Sequence, residues 1–395
     1  MNGKAKRILL PAALTVAVAV FFAVFRRGYL HYLEHNQIFE WTWSYVGSTL
    51  KSPCGFFILC REFFSQFCFS TVLGAVLMAL LPLAVWGLAR VCRLPYGLSF
   101  IPAGLCAIAL AIGTHSSSDR LLYLDHLCAE QEWDKILSLT DGRDEMSDVE
   151  ASYRNIALAA EGRLLDELFS WPVGSPRCLM PEEYSSLYSN FIQSEIFWRS
   201  GLVNASRRFA FEAQQAFPDH RPSARCYKRL AECEMRSGRA GSAMKFITPL
   251  SHTLHYRAWA QDAARRARGC SAEVHSFDDP YNSLNTVASF ERIYNDDLSN
   301  YEALEYLFAS SLLDKNLSGL EYFETLGGRV PRYIKEAMLV RSAADGTEFP
   351  ACVDDATVRR FAAFVSDMKA SRPVETMIGR YGDTYWLYYY YRKFE

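Results

Sequence analysis

Apolar and polar positions divide the chain into two regimes. Up to residue 114 charges are sparse and three long uncharged runs dominate; from about residue 120 apolar residues recur at three- and four-residue spacing. The second pattern belongs to helices that bury one face, and strand signals are few, so the fold class predicted is all-α. The first run, Ile8–Phe25 (ILLPAALTVAVAVFFAVF), is 18 residues long and just crosses a hydrocarbon core of roughly 30 Å. The second, Phe67–Leu88, is the clearest span; its Pro82 is tolerable in a membrane helix. The third, Leu98–Ile112, is shorter and carries Pro102 and Gly104. It is expected to span as well, the alternative being a re-entrant or buried segment. A cleaved signal peptide competes for the first run, but no small-x-small site precedes Arg26.

Charge sharpens the division. Residues 1–114 hold nine Lys/Arg and three Asp/Glu, a net of +6; the remainder holds 33 Lys/Arg against 41 Asp/Glu, a net of −8. An acidic soluble part argues against nucleic acid as a partner, because such a surface must be cationic. The N-terminal Lys4, Lys6 and Arg7 and the link residues Arg90 and Arg93 fall on one side if there are three spans. That side is expected to be cytoplasmic, with everything after residue 114 outside a bacterial inner membrane. The Trp- and Tyr-rich loop after the first span suits a helix lying in the headgroup zone.

Internal repeats come next. FIQSEIFWRSGLVNASRRFAFEAQQAFP (191–218) places Ser194, Ser206 and Ala213 at helical spacing around Phe197, with Gly201 between and Pro218 at the end. This stretch resembles a tetratricopeptide repeat, a helix–turn–helix unit of about 34 residues. In that family small residues let the paired helices approach and an aromatic fills the gap. Gln193 and Ala210 depart from its usual leucine and bulky residue. A second unit puts Leu230 and Ala231 on the first helix, Gly238 at the turn, Ala243 at the tight position and Ile247 at the bulky one. A third has Asp314 at the turn, Gly319 at the tight position and Phe323 at the bulky one. Turns near Gln131, Gly162, Gly201, Gly238 and Asp314 are irregularly spaced, as in a degenerate array. The resemblance covers about 120–330 and implies an α-solenoid whose concave face takes a protein or peptide.

The tail YGDTYWLYYYYRKFE concentrates Tyr381, Tyr385, Trp386 and Tyr389 among other aromatics. It reads either as an element capping the solenoid or as a docking tail, since Tyr and Trp offer apolar area with a polar tip. Membrane anchor, helical repeats and tail together resemble an uncharacterised bacterial membrane-protein family of unknown function. The domain division expected is an anchor (1–114), a helical-repeat domain (115–380) and the tail (381–395).

Candidate chemistry is thin. His31-Tyr32-Leu33-Glu34-His35 matches H-x-x-E-H, a zinc-protease pattern. On a helix His31 and His35 share a face, with Glu34 as potential base. A third ligand is needed, and Glu40 and Glu62 are the only other acids before residue 119. Two interfacial histidines are the simpler reading, and no cofactor or metal is expected. Cys226 and Cys233 share a helix face without metal spacing; soluble-part cysteines are open to disulfides or free thiols. His252 and His255 suit a surface patch. No phosphate loop, dinucleotide fingerprint or nucleophile elbow is present. The expectation is a membrane-anchored scaffold for a protein or peptide partner at the cell envelope. The rival class is a membrane-embedded enzyme acting on a cell-envelope or lipid-linked substrate.

Overall fold

The computed structural model describes residues 3–114, 119–143, 146–171, 173, 175–182, 186–217, 221–269, 285–325 and 328–392. Among these, all regular structure is helical. In chain order the helices are α1 (Gly3–Phe25), α2 (Arg27–His35), α3 (Trp43–Leu50), α4 (Gly55–Ser65), α5 (Thr71–Val91), α6 (Phe100–Gly113) and α7 (Asp119–Ala129). Then follow α8 (Trp133–Thr140), α9 (Asp148–Ala160), α10 (Leu164–Glu167), α11 (Leu187–Arg199), α12 (Val203–Gln215), α13 (Ala224–Arg236), α14 (Ala240–Ser251) and α15 (Arg257–Gly269). The last are α16 (Thr286–Asp296), α17 (Tyr301–Leu313), α18 (Tyr322–Thr325), α19 (Arg332–Asp345), α20 (Asp355–Lys369), α21 (Val374–Tyr381) and α22 (Tyr385–Tyr391). Many begin where the sequence supplies an oxygen-bearing side chain. Ser147, Ser186, Ser223, Asn300, Asp354 and Thr384 each accept the backbone N–H three residues on, satisfying a donor the helix leaves orphaned.

Cα proximity divides the chain into two compact units, residues 1–129 with 210–277, and residues 130–209 with 278–395. In the first unit α5 packs against both α1 and α6. Ala75 and Ala79 of α5 are buried with Val18 and Phe22 of α1; four residues apart, they face one way and let the helices close in. The opposite faces stay apolar and exposed: Val16, Val20 and Val24 on α1, and Ile101, Leu105, Ile108 and Ile112 on α6. By length and composition α5 is the one described helix long and apolar enough to cross a membrane. Residues 9–25 with α2 form a second candidate only as a pair bent by 77°, and α6 is shorter, at 14 residues. Further along, α14 packs between α13 and α15 on an alanine-rich core that includes Ala231, Ala243, Ala260, Ala263 and Ala267. Ile247 is fully buried in that core, and Leu230 of α13 is fully buried as well.

In the second unit α9 packs against α8, α11 and α17, and α19 against α10, α20 and α22. Helices end where the sequence places their turns. Gly162, Gly201 and Gly238 have φ of 66°, 91° and 70°, and Gln131 adopts 59°. After Gly162 and Gly238 the next N–H reaches back to close a six-residue ring, Arg163 to Leu158 and Arg239 to Glu234, the geometry for which a left-handed glycine is needed. Near Asp314 the left-handed residue is Lys315 (φ 58°).

Ser194 and Ser206 mark where α11 crosses α12. Ser194 Oγ donates to the Ser206 carbonyl at 3.0 Å, and Ser206 Oγ returns to the Ser194 carbonyl at 2.7 Å. Each helix thus hydrogen-bonds the other's backbone, which only small side chains permit. Phe197, fully buried, stacks on Phe209 (5.5 Å) and Phe290 (6.2 Å). Ser206→Ala is expected to lose about 1 kcal/mol, whereas Ser206→Leu overpacks the crossing by about 3 kcal/mol. Urea unfolding monitored in this unit checks the order; equal effects would mean that the crossing is not tight.

Gly319 departs from expectation. It lies not on a helix at a tight position but in a turn with φ 75°, where an added Cβ would meet nothing within 4 Å. Backbone conformation, not close packing, selects glycine there. Its companion Phe323 is buried against Phe308, ring centroids 4.6 Å apart. Within the aromatic tail, Tyr381 ends α21 and residues 385–391 form α22. Tyr385 and Trp386 are fully buried and Tyr381 nearly so, while Tyr389 is half-buried. Phe169 meets the Tyr385 and Tyr388 rings, and Trp386 lies against Phe361.

Glu305 on α17 is almost completely buried and accepts the Leu164 and Leu165 N–H groups. Burial pushes its carboxyl up to about 8, against those bonds, with Glu302 and Asp166 adding repulsion. The folded unit therefore holds a proton that the unfolded chain releases above pH 4.5. Stability of this unit falls as pH rises from 4.5 to 8 and is flat beyond. Glu305→Gln is expected to remove that slope and to stabilise the unit by about 2 kcal/mol at pH 8, read as slower hydrogen exchange in α10 and α17.

Candidate functional site

The richest polar cluster lies in the first unit, around α2. At its N-terminus the Asp119 carboxylate accepts the Tyr29 N–H at 2.9 Å, capping α2 from outside its own sequence. Gly28 then lets α2 lie on α7. A Cβ there would stand 2.2 Å from the Asp119 carbonyl oxygen and 2.7 Å from the Tyr123 nitrogen. Residues 28, 31 and 35 fall on one helix face, as does the 30/34 pair beside it, and all five are buried.

His31 and His35 are thereby directed inward, where α7 supplies His126. The His31 and His126 rings stack at 3.5 Å with 6° between planes, and His35 lies 5.4 Å from His126. His31 Nε2 is 3.0 Å from Thr71 Oγ1, at the start of α5. Glu34 accepts the Tyr256 hydroxyl at 3.0 Å, and its Oε2 is 3.9 Å from His35 Nε2. Asp125 pairs with Arg225 of α13. The Ser223 hydroxyl, which caps α13, donates to the His35 carbonyl at 2.7 Å.

Burial, with His255 and Arg27 adding positive charge, lowers His31 to about 4. His35 is held well below the usual imidazole range by burial, then by His126, Arg225 and His31. Burial likewise draws Arg225 down to about 9. The two α2 imidazoles are therefore neutral near pH 7. Such groups donate and accept hydrogen bonds but resist protonation. The fold's stability is complete above pH 6.5 and declines as pH falls toward 4, because the unfolded chain takes up the protons first. Moving from pH 7 to pH 5 is expected to cost the first unit about 2 kcal/mol through His31 alone. Hydrogen exchange in α2 and α7 that does not quicken at pH 5 would contradict this.

His31, Glu34 and His35 are gathered as the sequence pattern suggested, but the candidate third ligands lie elsewhere. Glu62 accepts the Arg221 guanidinium at 2.6 Å and the Tyr45 hydroxyl. Glu40 lies 3.1 Å from His252 Nδ1. Among the described residues no group of three His, Cys, Asp or Glu side chains is arranged to hold a metal ion. His252 and His255 are exposed, the latter stacked on Phe69 at 5.0 Å. Cys226 and Cys233 are both buried.

The small residues of the repeat-like stretches occupy the interior: Ser194, Ser206, Ala213, Ala231 and Ala243 are buried. Pro218 lies outside the described residues. Sequence reasoning missed His126, Asp125, Arg225 and Tyr256. The available signal was local: Asp125 and His126 sit among the leucines of a short amphipathic run, polar groups with no surface to face.

A family model matches the chain over residues 4–117 and again over 107–392, and describes a family of unknown function (DUF6057). No curated protein and no solved structure matches the chain.

Proposed function

The chain belongs to DUF6057, a family of unknown function, and from that premise we propose that it is a membrane-anchored helical-repeat scaffold docking a protein or peptide partner at the cell envelope. The observation that carries this reading is the exposed apolar surface of three packed helices. Val16, Val20 and Val24 of α1, Val72, Val76 and Leu80 of α5, and the α6 stripe from Ile101 to Ile112 all face outward. A monomeric soluble protein rarely exposes so much contiguous apolar area, and lipid is the solvent that suits it. Trp43, Phe56 and Phe57 are exposed on α3 and α4, aromatic anchors for the headgroup zone.

The docking half rests on the helix pairs. The crossing at Ser194 and Ser206 and the left-handed turns at Gly201 and Gly238 suit tetratricopeptide-like hairpins, whose stacked arrays bind extended chains without large reordering. The acidic bulk after residue 114 favours a partner with basic character. With three spans the helical region lies outside the cytoplasm. A C-terminal reporter that works only after export tests this placement, and crosslinking in native membranes tests for the partner. Silence of the reporter, or no crosslinked partner, counts against the respective half.

A second reading draws on the gathering of His31, His35, His126 and Glu34: an enzyme acting on a cell-envelope or lipid-linked substrate. Metal retained by the purified protein, or turnover lost in His35→Ala, supports it.

A further inference from the structure

We infer that a cavity in the second unit receives the C-terminal residue of a peptide, its apolar side chain inside and its carboxylate at Arg392. The cavity encloses about 200 Å³. A dry cavity of about 150 Å³ holds one benzene-sized group, so this one suits a single aromatic or branched aliphatic side chain. Its walls fit such a guest. Phe169 and Trp171 meet Leu387 and Tyr388 of α22 and the exposed Val374 and Ile378 of α21.

The polar groups around it say what else the guest must carry. Thr384 Oγ1 donates to the Tyr381 carbonyl at 2.6 Å and the Tyr388 hydroxyl to the Leu313 carbonyl at 2.9 Å, so both are committed. Trp171, 8% exposed, adds apolar ring area to the wall. Arg392 Nε donates to the Val173 carbonyl at 2.8 Å. That bond fixes the guanidinium at the rim and, among the described residues, leaves its Nη groups for a planar anion, the geometry in which arginine binds carboxylate. Among the described lining residues there is no carboxylate. An apolar group with an adjacent carboxylate satisfies both demands, the apolar wall and the guanidinium, and a peptide's last residue supplies them together.

This inference rests on the scaffold reading in naming a peptide as guest. The test uses the detergent-solubilised full chain and a fluorescein-labelled peptide, Gly-Ser-Gly-Ser-Leu-Phe, followed by anisotropy. The free acid is expected to bind at least tenfold more tightly than its C-terminal amide. Arg392→Gln should abolish that preference, and Val374→Trp, which fills the mouth from an exposed position, should abolish binding. Equal binding of acid and amide, no binding of either, or indifference to Val374→Trp overturns the proposal. Unchanged thermal melts of the two rim variants exclude misfolding as the cause. Native-membrane crosslinking separates the two claims: partners captured equally by wild type and Val374→Trp overturn the cavity as the docking site and leave the scaffold reading intact. If no partner crosslinks to wild type, the scaffold reading fails and the peptide titration still decides the cavity.

Discussion

Gly28→Ala is expected to destabilise the first unit by about 3–5 kcal/mol, beyond the range of ordinary surface changes. The reason is what the new Cβ would meet: the Asp119 carbonyl oxygen at 2.2 Å and the Tyr123 nitrogen at 2.7 Å. Both are backbone atoms of α7, which cannot rotate aside as a side chain can. Relief requires α2 to lift from α7. That movement would break the Asp119 cap on Tyr29 and separate the His31 and His126 rings. Gly47 provides the control. An added Cβ there meets nothing within 4 Å, and the residue lies inside α3, so Gly47→Ala should be neutral or stabilise by up to about 1 kcal/mol. Denaturant unfolding of both variants in detergent gives the comparison. If the two melt together, the contact between α2 and α7 is looser than described.

Asp125→Ala is the second large effect, expected to cost about 3–5 kcal/mol. Asp125 and Arg225 have side chains only 7% and 11% exposed. Removing the carboxylate takes its Asp125 partner from a guanidinium that burial already draws down to about 9. The pair itself is not the source of the stability; the penalty is that of a buried charge deprived of its opposite. The double variant Asp125→Ala, Arg225→Met should therefore recover most of the loss. A double variant no better than the single would assign the effect to the Asp125 cavity instead.

Helices were legible because their signals are local. The small–aromatic–glycine order of 191–218 is a property of neighbouring residues, and α11, α12 and the left-handed Gly201 follow from it. The long apolar runs were legible as helices for the same reason, though of the three only α5 is by itself long and apolar enough to cross a membrane. The site was half legible. His31, Glu34 and His35 share one helix and a spacing, so they could be read together. His126 arrives from a helix 91 positions after His35, Tyr256 from another still further on, and neither carries a periodic signal. Gly319 shows the converse limit: glycine satisfies both a tight crossing and a left-handed turn, and sequence alone does not say which demand it meets. The tail shows a third case, in which composition flagged Tyr385 and Trp386 but only burial tells that their rings serve the unit's own interior.

The interleaving of the two units sets an order of events during synthesis. A nascent chain emerges N-terminus first, so α1 to α7 leave the ribosome well before α13 to α15, with which they share a compact unit. Ser223, which holds the His35 carbonyl, and Arg225, which neutralises Asp125, are made roughly 100 residues after α7. Until they appear, Asp125 lacks Arg225 and α2 lacks its covering helix. The first unit must wait, incomplete, while residues 130–209 pass by. Fragments cut at residue 114 or 129 inherit that same unfinished state, and coexpression of residues 210–277 in trans is the natural means of completing them.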